Sequence, residues 1–288
     1  MSERVIFWYG CNVLRHGDII HSCLDILRLL GVDARPAGGP DYCCGTAKDE
    51  NQTAADGMAR RTVTKFNDMG RERVVAWCPS CHMHMTEFMG RAYPADFGLT
   101  YLVDLLHERR AALAPLLKHA VPMRVLLHKH MGFNDHAAVN AKVPELLRLI
   151  PGVEVVDDDY VAPGYMCALL ASVPKAIEEM HRATLERVAR HRADAVVTTF
   201  HQCYREVVGL EAHANTRAYN YIHLLAQSIG LDYVDEYKAW KKAGPQAPEL
   251  IGEQRIGQVG VQFFERAMLP ELVKRPLGID PKPPATEK

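Results

Sequence analysis

Residues 4–10 form a continuous apolar run, which predicts a buried strand ending at Gly10 and Cys11. Apolar positions at helical spacing follow over about 17–30, and Gly31 stops them. A second strand is predicted near 32–37. It leads into a loop rich in glycine and proline that ends in Cys43-Cys44-Gly45. A long helix is predicted over about 51–69 with Gly70 as its stop, then a strand at 73–77. Cys78-Pro79-Ser80-Cys81 opens a further helix. Strands that alternate with helices in this way predict parallel sheets with crossover helices, an α/β fold.

The pattern returns after about 120 residues. Residues 124–128 are a new first strand. Its helix ends in Leu149-Ile-Pro-Gly-Val153, as the earlier one ended in Leu29-Leu-Gly-Val32. Pro163-Gly164 lies next to Cys167, residues 193–200 echo the strand before Cys78, and Tyr221-Ile-His-Leu-Leu225 echoes Tyr101-Leu-Val-Asp-Leu-Leu106. Four matches in one order point to a duplicated domain. The boundary is set near 119–122, where Pro122 interrupts, which gives domains over 1–120 and 121–240. Residues 241–288 read as a polar, proline-rich tail, either partly ordered or an arm that grips a partner, with 256–269 as one more helix.

At 288 residues the chain has room for one large domain or two ordinary ones. A formal net charge of −1 and the lack of a basic stripe argue against nucleic acid as a partner. The first apolar run is too short for a signal peptide or a membrane span, so a cytoplasmic location is expected. In a reducing compartment the eight cysteines are expected to be ligands or catalytic thiols rather than disulfides.

Five of those cysteines form one pattern: Cys11, 31 residues, Cys43-Cys44, 33 residues, Cys78, two residues, Cys81. Each group falls at the C-terminal end of a predicted strand or in the loop beyond it. In an open parallel sheet those ends meet at one edge, where ligands bind. The helix start near Cys81 offers free N–H groups that favour thiolate. Zinc closes its shell at four ligands, so five thiolates suit iron–sulfur chemistry better. Adjacent cysteines diverge on an extended chain; on a loop bent at Gly45 both can reach one cluster.

These residues resemble the CCG-domain family, typified by the CCG-bearing subunit of heterodisulfide reductase. Cys43-Cys44-Gly45 is the CCG element and Cys78-Pro79-Ser80-Cys81 its closing CxxC. The resemblance covers about residues 4–230 and implies two Rossmann-like α/β domains related by a pseudo-two-fold axis, with a cleft between them. It implies one non-cubane four-iron, four-sulfur (4Fe-4S) cluster on Cys11, Cys43, Cys44, Cys78 and Cys81. It further implies disulfide reduction or oxidation of a thiol or sulfur compound, within a complex that also contains an iron–sulfur electron-carrying subunit and a flavoprotein. The chain has no dinucleotide or P-loop glycine fingerprint, so nucleotide or flavin chemistry would come from such a partner.

The second repeat departs from the family pattern. Met131 stands opposite Cys11, with His128 and His130 just before it. The CCG element becomes Met166-Cys167-Ala168, or Tyr165-Met166-Cys167 with a one-residue shift, and the CxxC becomes Phe200-His-Gln-Cys203. Cys167 and Cys203 remain. They read as buried apolar residues, as a catalytic dithiol that holds substrate sulfur, or as ligands to zinc or another metal with His128, His130 or His201.

Cys23 shares a helix face with Ile26, Leu27 and Leu30 and reads as core. Met83, Met85 and Met89 are spaced for helix packing, and Trp8, Tyr9 and Trp77 flank the ligand positions. His82 and His84 read as an exposed helix face or as residues that tune the cluster, and Lys129 as a solvated residue or an anion contact. Three rival readings stay open. Trp77-Cys-Pro-Ser-Cys81 looks like the site of a thioredoxin-like thiol–disulfide oxidoreductase, which leaves Cys11, Cys43 and Cys44 without a role. Four of the five cysteines could instead form a zinc scaffold. The cluster could also be an electron relay with no substrate of its own.

Overall fold

The apolar run at the start of the chain becomes an interior strand. In a computed structural model that describes residues 3–11, 14–45, 51–132, 138–156, 158–170 and 172–276, the chain divides into two compact units. Met1–Lys118 with Ile229–Val234 make up one unit, and His119–Ser228 with Asp235–Lys288 the other.

In the first unit β1 (Glu3–Gly10) pairs in parallel with β2 (Val32–Gly38) and with β3 (Arg73–Ala76), and β4 (Gly98–Tyr101) pairs with β3. The strand order is β2-β1-β3-β4. Val5, Ile6, Phe7 and Trp8 are all fully buried. Successive side chains point to opposite faces, so both faces of β1 are covered, which is why the run does not alternate with polar residues. Helix α1 (Gly17–Leu29) returns the chain to β2 and buries Ile19, Ile20, Cys23, Ile26 and Leu27 along one stripe. Cys23 is therefore core.

Helix α2 (Gln52–Asp68) opens on Asn51, whose side chain accepts from the Ala54 N–H. It lays Ala59, Val63 and Phe66 against Ile6, Trp8, Val74 and Ala76. Helix α3 (Pro79–His84) follows β3 and runs on through a π turn at Met85–Met89. Met85 and Met89 join the same buried cluster. Helix α4 (Leu102–Glu108) follows β4. Arg73 ties the sheet edge together through Glu3, Thr100 and Glu108.

The second unit repeats the design: β5 (Met123–His128), α5 (Val139–Leu147), β6 (Val153–Val156), α6 (Cys167–Leu170), α7 (Pro174–His191), β7 (Ala195–Thr198), α8 (His201–Val207), β8 (Arg217–Asn220) and α9 (Tyr221–Ile229). Its sheet is also fully parallel, with order β6-β5-β7-β8. The registers superimpose at an offset of 120 along the first strands. Trp8 sits beside Ala76 in one sheet, and His128 beside Thr198 in the other.

After residue 235 the chain departs from the expected polar tail. Helix α10 (Glu236–Ala243) is capped by Asp235 and is followed by helices at Ala247–Ile251, Glu253–Val259 and Leu269–Val273. Trp240, Ala247, Ile251, Phe264, Met268 and Leu272 are buried. The lysines and prolines that dominate the composition lie between these widely spaced anchors. The terminal run 281–288 lies outside the described residues. Among the described residues no helix is long and apolar enough to cross a membrane.

Candidate functional site

Three chain segments bring thiols to the C-terminal edge of the first sheet. Cys11 directly follows β1, and Gly10 is left-handed with φ +69°. A Cβ added at Gly10 would lie 3.0 Å from Cys81 Sγ and 3.1 Å from Cys78 Cβ. The strand end is thus packed directly on the CxxC, and only glycine leaves that space open.

The CCG loop is pinned from two sides. Trp8 Nε1 donates to the Tyr42 carbonyl at 2.9 Å, and Thr62 Oγ1 of α2 donates to the Cys43 carbonyl at 2.9 Å. Gly45 is left-handed, and its N–H donates to Cys43 Sγ at 3.4 Å. Cys78 caps the N-terminus of α3, and Cys81 lies in the first turn. Cys44, Cys78 and Cys81 are buried, Cys43 is half-buried and Cys11 is exposed. The donor set therefore has a closed floor and one open side.

The thiols meet in two sets: Cys11 bonds to Cys43, and Cys81 bonds to Cys44 and Cys78. A hydrogen bond with Cys43 raises the Cys11 thiol far above its ordinary range, and burial and the neighbouring Cys78, Cys43 and Cys44 add to the shift. Hydrogen bonds with Cys44 and Cys78, with burial, do the same to Cys81. Thiols this close cannot all ionise by themselves; a bound cation reverses that, because it compensates the thiolate charge. The donor set fits a metal or iron–sulfur group. His82 and His84 are half-buried on α3, and the His82 ring lies 5.3 Å from that of Tyr101.

A second group of donors lies at the matching edge of the second sheet. His128 ends β5, and His130 continues the same line through a parallel bridge to Ala162. Two residues apart on an extended chain, they share a face. His130 Nε2 lies 3.2 Å and His128 Nε2 3.3 Å from Cys167 Sγ at the start of α6, and the two ring nitrogens are 3.1 Å apart. The Cys167 N–H donates to Cys203 Sγ in α8 at 3.4 Å. His128, His130 and Cys167 are each 1% exposed and Cys203 is 0% exposed. A substrate would reach neither sulfur without movement of the surrounding helices.

Burial by itself would raise Cys203, but its bonds with Cys167, His128 and His130 and the charge of His130 bring it well below its ordinary value. Burial raises Cys167, and Cys203 raises it further. Of the three histidines singled out in the sequence, His201 is buried at the head of α8 and outside this group. Met131, opposite Cys11 in the repeat, is exposed. Lys129 donates to the Asp158 carbonyl, which engages it in the fold.

The sequence matches the family described as CCG, cysteine-rich domain, over residues 5–86. No curated protein matches the chain. Among solved structures, it is similar to an aspartate racemase homologue from Pyrococcus horikoshii OT3 (12% identity, 80% of this chain and 99% of that one, TM-score 0.33). It is also similar to glutamate racemase from Aquifex pyrophilus (14% identity, 81% and 85%, TM-score 0.34). Neither likeness bears on the chemistry of this chain.

Proposed function

Residues 5–86 are a CCG cysteine-rich domain, and from that premise we propose that the protein is the iron–sulfur subunit of a heterodisulfide reductase-like complex. Cys11, Cys43, Cys44, Cys78 and Cys81 hold one non-cubane 4Fe-4S cluster, beside which a disulfide is reduced or a thiol or other sulfur compound is oxidised. The observation that carries this reading is the convergence of five thiols on one sheet edge, where Cys11 bonds to Cys43 and Cys81 bonds to Cys44 and Cys78. When bound, the cluster supplies or accepts single electrons at a sulfur.

The chain's own residues do the rest. Cys44, Cys78 and Cys81 anchor the inner side, where Trp8, Met85 and Met89 exclude water. The Gly45 N–H directed at Cys43 favours the thiolate form of that ligand. Exposed Cys11 leaves one side open to a substrate sulfur or an electron partner. The partners under this reading are an iron–sulfur electron-carrying subunit and a flavoprotein, in the cytoplasm.

A thioredoxin-like role for Cys78 and Cys81 fits less well. An attacking thiol needs exposure and a lowered pKa. Both of these are buried, and Cys81 is raised.

The test is iron and acid-labile sulfide content with visible and EPR spectra, on protein purified without oxygen. About four irons per chain are expected, lost in Cys43→Ala or Cys44→Ala, with turnover of a disulfide when the partner subunits are added. An iron-free chain after anaerobic reconstitution would overturn the cluster; a full cluster with no sulfur turnover in the assembled complex would leave electron relay as the function.

A further inference from the structure

We propose that the second unit binds one zinc ion in a closed tetrahedral site formed by His128, His130, Cys167 and Cys203. The site is independent of the five-cysteine cluster and does a different job.

Geometry is the first argument. One ligand atom from each of the four residues lies within 4.8 Å of all the others. Zinc–nitrogen and zinc–sulfur bonds of about 2.0–2.1 and 2.3 Å at tetrahedral angles place nitrogens about 3.3 Å apart and nitrogen and sulfur about 3.6 Å apart. The corresponding separations here are 3.1 Å for the two nitrogens and 3.2 and 3.3 Å to Cys167 Sγ. An expansion of a few tenths of an ångström converts the contact set into a coordination shell.

The second argument is the direction of the lone pairs. His130 Nδ1 faces the Pro163 and Gly164 carbonyls at 3.2 and 3.3 Å. A carbonyl only accepts, so Nδ1 carries the hydrogen, and the Nε2 lone pair of a neutral ring points into the group. A backbone carbonyl behind the ligating ring is the usual way a metal-bound histidine is held in one tautomer. Among the described residues His128 Nδ1 is buried without a hydrogen-bond partner, so that side of the ring offers no competing anchor.

The third argument comes from the repeat. The first strands superimpose at an offset of 120, which puts His130 in the place of Gly10, and the third strands at an offset of 122, which puts Phe200 in that of Cys78. In the first unit, that place is filled by the approach of the CxxC to a bare backbone. In the second unit an imidazole fills it. A ligand stands where the first unit has bare backbone, and two ring nitrogens join the two thiols that remain of the five. Two sulfurs and two imidazoles in a tetrahedron select zinc. A two-iron centre with the same residue types keeps its histidines on one iron and its cysteines on the other, whereas here each histidine touches Cys167.

All four ligands are enclosed, so no position is open for water or substrate, which is the signature of a structural rather than catalytic ion. The ion ties the end of β5 to the starts of α6 and α8. It thereby holds the second sheet edge, which has lost the ligands for a cluster of its own.

The test uses the whole chain, purified without oxygen or chelator from cells supplied with zinc and iron, and reads metal content and zinc X-ray absorption. The expected result is one zinc per chain with a shell of two sulfurs and two nitrogens. That shell is retained in the Cys43→Ala/Cys44→Ala double variant while the iron is lost. His130→Ala loses the zinc and keeps the iron, and His130→Cys regains zinc with three sulfurs. If His130→Ala fails to fold, the wild-type shell and the double variant still decide. Absence of zinc, a shell of sulfur alone, or loss of the zinc shell in the double variant would each overturn the proposal. The iron count tests the cluster and the zinc shell tests this site, so either can fail without the other.

Discussion

Gly45→Ala and Gly57→Ala, both glycine replacements at or near α2, should move stability in opposite directions. At Gly45, φ is +87°, and an added Cβ would sit 2.5 Å from the Ala55 carbonyl oxygen and 3.1 Å from the Ala55 carbonyl carbon. Both obstacles are backbone in the first turn of α2, so neither can swing aside. A left-handed φ costs a residue with a Cβ about 1–2 kcal/mol, and forced overpacking about 1–3 more, so Gly45→Ala should cost about 2–5 kcal/mol. At Gly57, in the body of the same helix, the new Cβ meets only Arg61 Nη1 at 3.9 Å, the far end of a flexible side chain. Removal of a helix-interior glycine there should stabilise by about 0.5–1 kcal/mol. The assay is urea unfolding of the reduced, metal-free chain by tryptophan fluorescence, with Trp8 and Trp77 buried in the first unit as reporters. With a slope of about 1–3 kcal/mol per molar urea, Gly45→Ala should lower the midpoint by about 1–2 M. An unchanged midpoint in Gly45→Ala, or an equal fall in Gly57→Ala, would refute the claim that this glycine is demanded by backbone geometry.

Gly10→Ala should leave the fold intact by circular dichroism but lower iron per chain, because its Cβ would press on Cys81 Sγ at 3.0 Å; wild-type iron content would contradict this. Glu206 gives a pH test. Burial would raise its carboxyl, but His181 and Lys274 hold it down at about 2, against an ordinary 4.5. A depressed carboxylate contributes stability above pH 4.5 and loses it as pH falls towards 2, so Glu206→Gln should cost about 2–3 kcal/mol at pH 7 and nothing extra near pH 2. A pH-independent gap between the two unfolding curves in metal-free protein would show that the ion pair is not its source. Trp240→Ala should cost about 3–5 kcal/mol, since the indole is 2% exposed; an unmoved urea midpoint would mean the C-terminal helices are dispensable.

Local patterning carried a good deal of this protein. The apolar run before Gly10 predicts a strand covered on both faces, and the turn glycines bracket α1 and α2 close to their observed ends. Cysteine spacing placed five thiols beyond strand ends, and the 120-residue echo revealed the repeat, because strand and helix periods are properties of neighbouring residues. The C-terminal segment reads as a polar tail with one helix near 256–269 because its anchors, Trp240, Phe264 and Met268, are spread among lysines and prolines, and composition averages them away. Three histidines near Cys167 and Cys203 were equally eligible from the sequence. Strand alternation puts His128 and His130 on one face, and parallel pairing of β5 with β7 brings them to the helix that carries Cys203, whereas His201 is not gathered with them. Likewise, nothing local marks Gly10 as the point where strand and CxxC meet. What the sequence determined by itself is the order of elements and the inventory of donors, which depend on residues near one another along the chain. Which donors meet was decided by strand pairing across 30 to 80 residues, because coordination needs atoms within a few ångströms and only the packed sheet sets those distances.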